Sequence, residues 1–376
     1  MLQVLPALDS GGVERGTLEV AEALVRGGLR AIVASAGGRL VRDLEGLGAR
    51  HVTLPLRAKD PITLWRNAGR LASLIVRHRV AVIHARSRAP AWSARLAAQR
   101  TGARWVTTYH GVYGEGFPGK RLYNAVMASG ERVIAISRFV AEHVVARHGT
   151  DPHRIRIIPR GVDPRLFDPA CVAPDRTARL RAAWGVPEHA PLVLFPGRLS
   201  RWKGQQVLIQ ALALMTRSDT FAVFAGDAGG SGGHARHLAR LAAAAGLRDR
   251  IRFTGHVADM PAALAAADVV VSASIRPEAF GRVVIEAQAM ARPVVATAHG
   301  GAAETVEDGA TGLLVPPNDP AALASALDRL LALPADERRA LGDRARRTVL
   351  TRYSSAHMTQ ATLAVYRELL AETESE

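Results

Sequence analysis

Two basic side chains stand on one short loop that follows an apolar run. Arg198 and Lys203 lie in the segment 197–204, GRLSRWKG, between the apolar run 192–195 and a segment of helical period. A planar guanidinium and a compact ammonium on one loop can neutralise negative charge from two directions. The pattern predicts a diphosphate clamp, and a solvated basic loop is the alternative.

Two glutamates flank a short Phe-Gly segment. Glu278 and Glu286 bound the sequence EAFGRVVIE, eight positions apart. At helical rise this spacing is roughly 12 Å, beyond the ~5–9.5 Å between the two carboxyls of a glycoside hydrolase. The two carboxylates are therefore expected to grip separate hydroxyl-bearing parts of an elongated ligand. A capping Glu278 and a solvated Glu286 are the alternative.

Backbone N–H groups and one histidine complete the candidate site. The N–H groups of 280–282 at a helix start would suit a phosphate or a developing negative charge. Gly11 and Gly12 open the first helical segment, where unhindered N–H groups attract phosphate, although a glycine pair is often only a turn. His110 ends the apolar run 105–109, and as a neutral imidazole it could hydrogen-bond a sugar hydroxyl, although one of 13 histidines in a loop needs no role.

Short β-branched runs alternate with helical segments along the chain, a pattern that predicts parallel α/β architecture. The strands and helices of this architecture would position the candidate residues. The first series of predicted strands ends near residue 158, and the proline-containing segment 159–174 breaks the rhythm. The predicted strands are 2–5, 31–35, 51–54, 82–85, 105–109, 132–135 and 155–158, then 192–195, 221–225, 251–254, 269–273 and 293–296.

The sequence therefore predicts two doubly wound Rossmann-like domains, residues 1–165 and 166–376. The helical tail from Pro320 packs outside the second sheet or crosses back to the first domain. Gly226–His234 is interpreted as a flexible surface loop. Parallel sheets bind ligands at the carboxyl ends of their strands, so the ligand is expected in a cleft between the two domains.

Composition excludes several classes of protein. Hydrophobic residues make up 48% of the 376, which rules out global disorder, and the single cysteine, Cys171, cannot form an internal disulfide. We see no secretory signal, and no run of about eighteen apolar residues that could cross a bilayer. The expected location is cytoplasmic, either in solution or peripherally at the inner face of the cytoplasmic membrane.

The net charge of +15 predicts an anionic partner or reflects an arginine-rich composition. Only Lys59, Lys120 and Lys203 are lysines among the 49 basic residues. A non-enzymatic nucleic-acid-binding protein is one reading of this charge. Aromatic residues make up only 5%, and no nucleic-acid module is visible, so we expect no nucleic-acid partner.

Taken together, these motifs resemble the retaining glycosyltransferases of family 4, group 1, which have the GT-B fold of two Rossmann-like domains. The resemblance covers nearly the whole chain, and the E-x7-E spacing around Phe-Gly is its most specific part. Further matching stretches are Gly11–Glu14, Ala135–Ser137, Pro159–Asp163, Gly197–Leu199, Ala265–Val269, Arg292–Ala296, His299–Gly301 and Asp308–Val315.

The resemblance implies a role for each candidate residue in binding a nucleotide-diphosphate sugar. Arg198 and Lys203 would bind the diphosphate, Glu286 the ribose and Glu278 the transferred sugar. The backbone of Gly11 and Gly12 would lie close to the distal phosphate. His110 would face the sugar. Phosphate and sugar would contact the stretch Phe280, Gly281, Arg282 and Val283, and the base would lie near Val257.

Enzymes of this family generally need no metal and no other cofactor, so none is expected here. The resemblance also implies front-face attack, in which the leaving phosphate accepts the proton of the acceptor. Arg160 departs from the family pattern, because many relatives have asparagine at this position of Pro-Arg-Gly-Val-Asp. The role of that position is left open.

The acceptor is expected to dock on the first domain. The segments 85–92 and 109–119 resemble mannosyltransferases of bacterial lipopolysaccharide core assembly, which implies GDP-mannose as donor and a glycolipid acceptor. Basic and apolar residues alternate in 117–127, as expected at an anionic membrane surface or on an ordinary packing helix. A nucleotide-sugar epimerase or hydrolase of the same fold remains an alternative function.

Overall fold

The computed structural model describes residues 1–9, 11–227 and 232–374. The chain divides into two compact units, one made of Met1–Gly161 with Ser355–Glu376 and the other of Val162–Ser354. The boundary between the units falls inside the segment 159–174 that the sequence marks as a connection. Four residues of the predicted loop Gly226–His234, 228–231, lie outside the described residues.

The first unit contains a seven-stranded parallel sheet flanked by helices. Its strands are β1 (Leu2–Val4), β2 (Ile32–Ser35), β3 (Arg50–Thr53), β4 (Val82–Ala85), β5 (Arg104–Tyr109), β6 (Arg132–Ala135) and β7 (Ile155–Ile157), in the spatial order β3-β2-β1-β4-β5-β6-β7. Its first helices are α1 (Gly12–Arg26), α2 (Val41–Gly46), α3 (Pro61–His78), α4 (Arg88–Thr101), α5 (Lys120–Ala125) and α6 (Arg138–His148).

The second unit repeats this plan with six parallel strands. They are β8 (Leu192–Pro196), β9 (Phe221–Ala225), β10 (Ile251–Gly255), β11 (Val269–Ser272), β12 (Val294–Thr297) and β13 (Leu313–Val315), in the order β10-β9-β8-β11-β12-β13. Its helices are α7 (Pro174–Ala183), α8 (Gln205–Leu214), α9 (Gly233–Ala244), α10 (Met260–Ala266), α11 (Arg282–Ala289), α12 (Pro320–Ala332) and α13 (Ala335–Arg352).

Local sequence explains where these elements begin. Central strands such as β4, β8 and β11 are fully buried, which suits their β-branched and apolar residues in sheets covered on both faces. Asp60 caps α3 by accepting a hydrogen bond from the Thr63 N–H at 2.8 Å, and Pro61 occupies the first helical position.

The prediction of two doubly wound α/β domains is confirmed. None of the described helices is both long and apolar enough to span a bilayer.

The last helix, α14 (Ser355–Glu374), packs on the first unit. Its Leu363, Tyr366 and Leu369 are buried in the core of that unit. Glu368 on its polar side forms ion pairs with Arg132 and Arg156, which lie on β6 and β7. The tail therefore crosses back to the first unit, so the division differs from residues 1–165 and 166–376. Its periodicity could not say which sheet its apolar face would cover.

A buried hydrogen-bonded chain ties α14 to the first sheet. Nδ1 of His84 lies 2.6 Å from Oη of Tyr366, and its Nε2 lies 2.6 Å from Oγ1 of Thr108. Burial lowers the pKa of His84 well below its usual range, and the nearby Arg86 and Arg160 charges lower it further. His84 is therefore neutral, with one ring nitrogen donating and the other accepting.

Tyr366→Phe is expected to destabilise the first unit by about 1–3 kcal/mol, because one ring nitrogen of buried His84 loses its partner. The measurement is denaturant unfolding followed by a probe in the first unit. Tyr123→Phe is the matched control, since no described residue bonds its hydroxyl. Equal stability of the two variants would contradict the prediction.

Candidate functional site

Lys203 and Glu278 meet at the carboxyl edge of the second sheet. Lys203 ends a short 3-10 turn after β8, and Glu278 follows β11, the neighbouring strand. Nζ of Lys203 donates to Oε1 of Glu278 at 2.8 Å, and Oγ of Ser274 donates to the same oxygen. The two side chains are 17% and 12% exposed. The structure thus joins two sequence-predicted residues in one largely buried ion pair.

Gly204 lets the Lys203 loop approach the end of β11. It has φ of 80°, and a Cβ at this position would lie 1.9 Å from the carbonyl oxygen of Ala273. No other residue type fits so close to the backbone in this conformation. The Ile275 N–H donates to the Trp202 carbonyl at 2.8 Å and fastens the loop there. Nζ of Lys203 also lies 4.6 Å from the centre of the Trp202 ring.

The backbone around Glu278 is held by the segment that follows β12. The Gly301 N–H donates to the carbonyl of Glu278 at 2.8 Å, and Glu278 forms a parallel bridge with Gly300. Nε2 of His299 lies 2.7 Å from the Ser274 carbonyl, so this nitrogen carries the proton. Sequence reasoning assigned no role to Ser274 or His299. Their positions directly after neighbouring parallel strands were the available signal.

Glu286 lies near the start of α11 and forms an ion pair with Arg282, one helical turn before it. Nη2 of Arg282 is 3.2 Å from Oε1 of Glu286, whose side chain is 15% exposed. Gly281 precedes the helix with φ of 85°, and no described side chain caps this helix start. Phe280 is buried edge-to-face against Tyr353. The first N–H groups of α11, including that of Val283, are thus available to an anion.

Neither Arg198 nor Val257 forms a hydrogen bond or ion pair with Lys203 or Glu278 in the described part of the chain. Arg198 is exposed, and its carbonyl accepts a hydrogen bond from Nε2 of Gln205 at 2.9 Å. Val257 is half-buried after β10, the edge strand of the sheet. Oγ of Ser200 and Oε1 of Gln205 are buried without a partner among the described residues. The sequence analysis did not single out these two polar atoms, which lie beside Lys203 on the loop after β8 and at the start of α8.

In the first unit, His110 directly follows β5 and is bonded to Arg160. Nη2 of Arg160, a residue 6% exposed, donates to Nδ1 of His110 at 2.7 Å. Burial lowers the pKa of His110 well below its usual range, and the charges of Arg160 and Arg86 lower it further. His110 is a neutral imidazole, as its predicted role requires. Arg160, whose role the sequence left open, is its partner.

Gly11 and Gly12 form the start of α1. Gly11 has φ of 138°, and a Cβ there would lie 2.6 Å from Oε2 of Glu14. Burial raises the pKa of Glu14, a hydrogen bond from its own backbone lowers it, and the nearby Asp9 raises it again. A carboxylate of the first turn thus lies over the turn predicted to bind phosphate. Ser10 is outside the described residues.

Two family models match the chain and together cover most of it. "Glycosyltransferase Family 4" matches residues 10–166, and "Glycosyl transferases group 1" matches residues 177–348. A protein of Xylanimonas cellulosilytica named D-inositol 3-phosphate glycosyltransferase is 34% identical over 96% of this chain and 92% of its own length. The chain belongs to glycosyltransferase family 4. This membership favours an enzyme over a non-enzymatic nucleic-acid-binding protein.

Solved structures agree with the assignment of this chain to family 4. A glycosyltransferase from Rickettsia africae is 38% identical with a TM-score of 0.90, and 98% of each chain is covered. Anabaena HepE in complex with UDP-glucose is 26% identical with a TM-score of 0.84, covering 98% of this chain and 99% of HepE. The two parallel-sheet units are those of the GT-B fold. For two further relatives named D-inositol 3-phosphate glycosyltransferase, the matched region spans about half of their length, 53% and 48%.

Proposed function

We propose that this family 4 enzyme is a retaining glycosyltransferase that uses a nucleotide-diphosphate sugar without a metal ion. The observation that carries the proposal is the Lys203–Glu278 pair with Ser274 at the carboxyl edge of the second sheet. A sugar diphosphate needs a cation beside its phosphates and an acceptor of hydrogen bonds beside its hydroxyls. This pair provides both within 2.8 Å.

Each side chain of the second unit has a part in this proposal. Lys203 keeps one of its three N–H donors on Glu278 and offers the others to the diphosphate, together with exposed Arg198. Glu278 accepts hydrogen bonds from the transferred sugar. Glu286 turns from Arg282 to the ribose hydroxyls. The free N–H groups at the start of α11 bind a phosphate oxygen.

The proposed transfer proceeds on one face of the sugar. The bond between the anomeric carbon and the leaving phosphate oxygen breaks, and the acceptor oxygen bonds to the same face of that carbon. The acceptor proton passes to the leaving phosphate oxygen, so atoms and charge balance without a protein base. Lys203, Arg198 and the α11 N-terminus stabilise the negative charge that develops on the diphosphate.

Donor choice is the first experiment. The sequence resemblance favours GDP-mannose, whereas HepE is solved with UDP-glucose. Thermal-shift titration with UDP-, GDP- and ADP-sugars, each against its free nucleoside monophosphate, identifies the base. Our proposal expects GDP-mannose to give the largest shift, and a larger UDP-glucose shift would reassign the base. No shift with any of them would overturn the nucleotide-sugar proposal.

Glu286→Gln is expected to weaken binding of the donor's nucleoside diphosphate about tenfold, because charged hydrogen bonds to the ribose become neutral ones. Calorimetric titration measures the Kd. Glu337→Gln on the exposed start of α13 is the matched control. An unchanged Kd in the Glu286 variant would remove the ribose role.

Chelator treatment tests the metal-independent part of the proposal. Among the described residues, no group of three or more His, Cys, Asp or Glu side chains could hold a metal ion. Transfer is expected to continue at an unchanged rate in excess EDTA, since basic side chains bind the leaving diphosphate. A loss of activity that Mg²⁺ or Mn²⁺ restores would contradict this expectation.

The acceptor in this proposal is a glycolipid of the lipopolysaccharide-core type at an anionic membrane surface. Phe117 and Leu122 are 61% and 72% exposed, and Nζ of Lys120 lies 5.1 Å from the Phe117 ring. Arg121 adds a second positive charge to this short segment. Apolar side chains next to cations are what an anionic lipid surface attracts.

Vesicle sedimentation tests this surface. The protein is expected to bind vesicles containing anionic lipid and to leave neutral ones, and Phe117→Ser with Leu122→Ser is expected to abolish binding. The relatives' name favours a competing acceptor, a soluble inositol phosphate. A protein that ignores vesicles and glycosylates inositol 3-phosphate would replace the glycolipid proposal. Rapid donor turnover without any acceptor would instead favour a hydrolase.

A further inference from the structure

Arg160 occupies the position where the family pattern has asparagine, and the first unit is built to hold it. Its side chain is buried, and Nη2 reaches Nδ1 of His110 at 2.7 Å. Gly16 on α1 leaves room for the other side of the guanidinium, since a Cβ at Gly16 would lie 2.6 Å from Nη1 of Arg160. A glycine in the middle of a helix is costly, and here it makes space for Arg160.

The chemistry of this hydrogen bond fixes the state of the His110 ring. A guanidinium has only donors, so Nδ1 of His110 must accept and carries no proton. The proton of the neutral ring is therefore on Nε2. That atom is buried and has no hydrogen-bond partner among the described residues. His110 holds an N–H that is ready to donate to a bound group.

The groups around His110 oppose a second proton on the ring. Arg160 and Arg86 are cationic, and His84 is a neutral ring buried nearby. Burial raises the pKa of nearby Tyr113 to about 12, and its interaction with the His110 backbone opposes this rise. Glu14 is a carboxylate whose charge acts on Arg160.

We propose that Arg160 is a positioning residue that locks His110 as a hydrogen-bond donor to a bound group through Nε2. His110 therefore cannot act as a general base, because neither ring nitrogen is able to take a proton. The inference rests on the proposed sugar transfer for the identity of the bound group. The lock itself is a property of the free protein and is measured without any substrate.

Nitrogen-15 NMR of the histidine side chains tests the lock directly. The His110 signals are identified by their loss in His110→Gln. We expect a bare Nδ1, a protonated Nε2 and no titration between pH 8 and pH 5.5. A proton on Nδ1 in the unaltered protein, or titration near the ordinary histidine pKa, would overturn the proposal whatever the enzyme's donor is.

Arg160→Met removes the donor and one neighbouring charge. His110 is then expected to show a mixture of both neutral tautomers and to gain a proton at a higher pH than in the unaltered protein. The kcat of transfer should fall on the order of tenfold with little change in the KM for donor, and an acidic limb should appear in the pH profile. Arg160→Lys, which keeps a donor, should restore part of the rate. An unchanged tautomer in Arg160→Met would contradict the lock.

Gly16→Ala displaces the Arg160 side chain without removing it. It provides a second test in case Arg160→Met does not fold. The added methyl group clashes with Nη1, so the His110 signals should shift in the same direction as in Arg160→Met. Gly69→Ala on α3 is the matched control, since the nearest atom to its Cβ would be 3.9 Å away. Identical His110 signals in both alanine variants would count against the proposal. Failure to find any sugar transfer would leave these spectra unaffected.

Discussion

Lys203→Met should lower kcat by about 10²–10³-fold, the usual loss when one preorganised stabiliser of a developing charge is removed. Methionine keeps much of the side-chain volume and removes the ammonium. The leaving diphosphate then loses the cation that the loop after β8 holds at 2.8 Å from Glu278. The nucleoside diphosphate should also bind more weakly, because part of this attraction already exists in the bound ground state.

Another of the three lysines provides the control for Lys203→Met. Lys59→Met removes an exposed ammonium in the first unit and should leave kcat and nucleotide affinity unchanged. The double variant with Glu278→Gln separates the ion pair from ligand binding, since the two changes should not add if the pair acts as a unit. Unaltered kcat in Lys203→Met would remove the clamp from the proposal.

Glu278→Gln should lower kcat by about 10²-fold while the nucleoside diphosphate binds as tightly as before, or more tightly. The carboxylate is proposed to hold the sugar, so its loss affects the transfer step. Its removal also releases Lys203 for the diphosphate and takes a negative charge away from the phosphates. These opposite effects on kcat and on affinity distinguish Glu278 from Lys203.

Single-turnover kinetics and calorimetry on one preparation measure both quantities. Glu337→Gln again serves as the control, and Glu278→Asp tests whether the length of the side chain matters. If Glu278→Gln lost nucleotide affinity and kept its kcat, Glu278 would bind the ribose and Glu286 the transferred sugar, the reverse of our proposal.

The sequence predicts the second unit's strands because their apolar runs are long enough to stand out. It misses β13, which has only three residues and no alternation of its own. The short helices α2 and α10 are also missed, since one or two turns leave little periodicity to detect. Packing against a sheet stabilises them, and packing is not visible in local sequence.

The candidate site is only partly predictable for a related reason. The positions of Lys203 and Glu278 after strands could be predicted, but the pairing of these two residues, 75 positions apart, depends on β8 and β11 being neighbours. The partnership of Arg160 with His110 spans 50 residues and depends on a cavity that Gly16 leaves open. Such distant partners follow from the order of strands in the sheet, which the sequence does not state.

The first unit is discontinuous, and protein synthesis must therefore complete it after the second unit. A ribosome delivers β1 to β7 early, then the entire second unit, and only afterwards α14 with Leu363, Tyr366 and Leu369. Throughout that interval the nascent first sheet has an uncovered apolar face, which is the kind of surface that chaperones recognise. The second unit can fold as it emerges, whereas His84 lacks its Tyr366 partner until α14 has been synthesised.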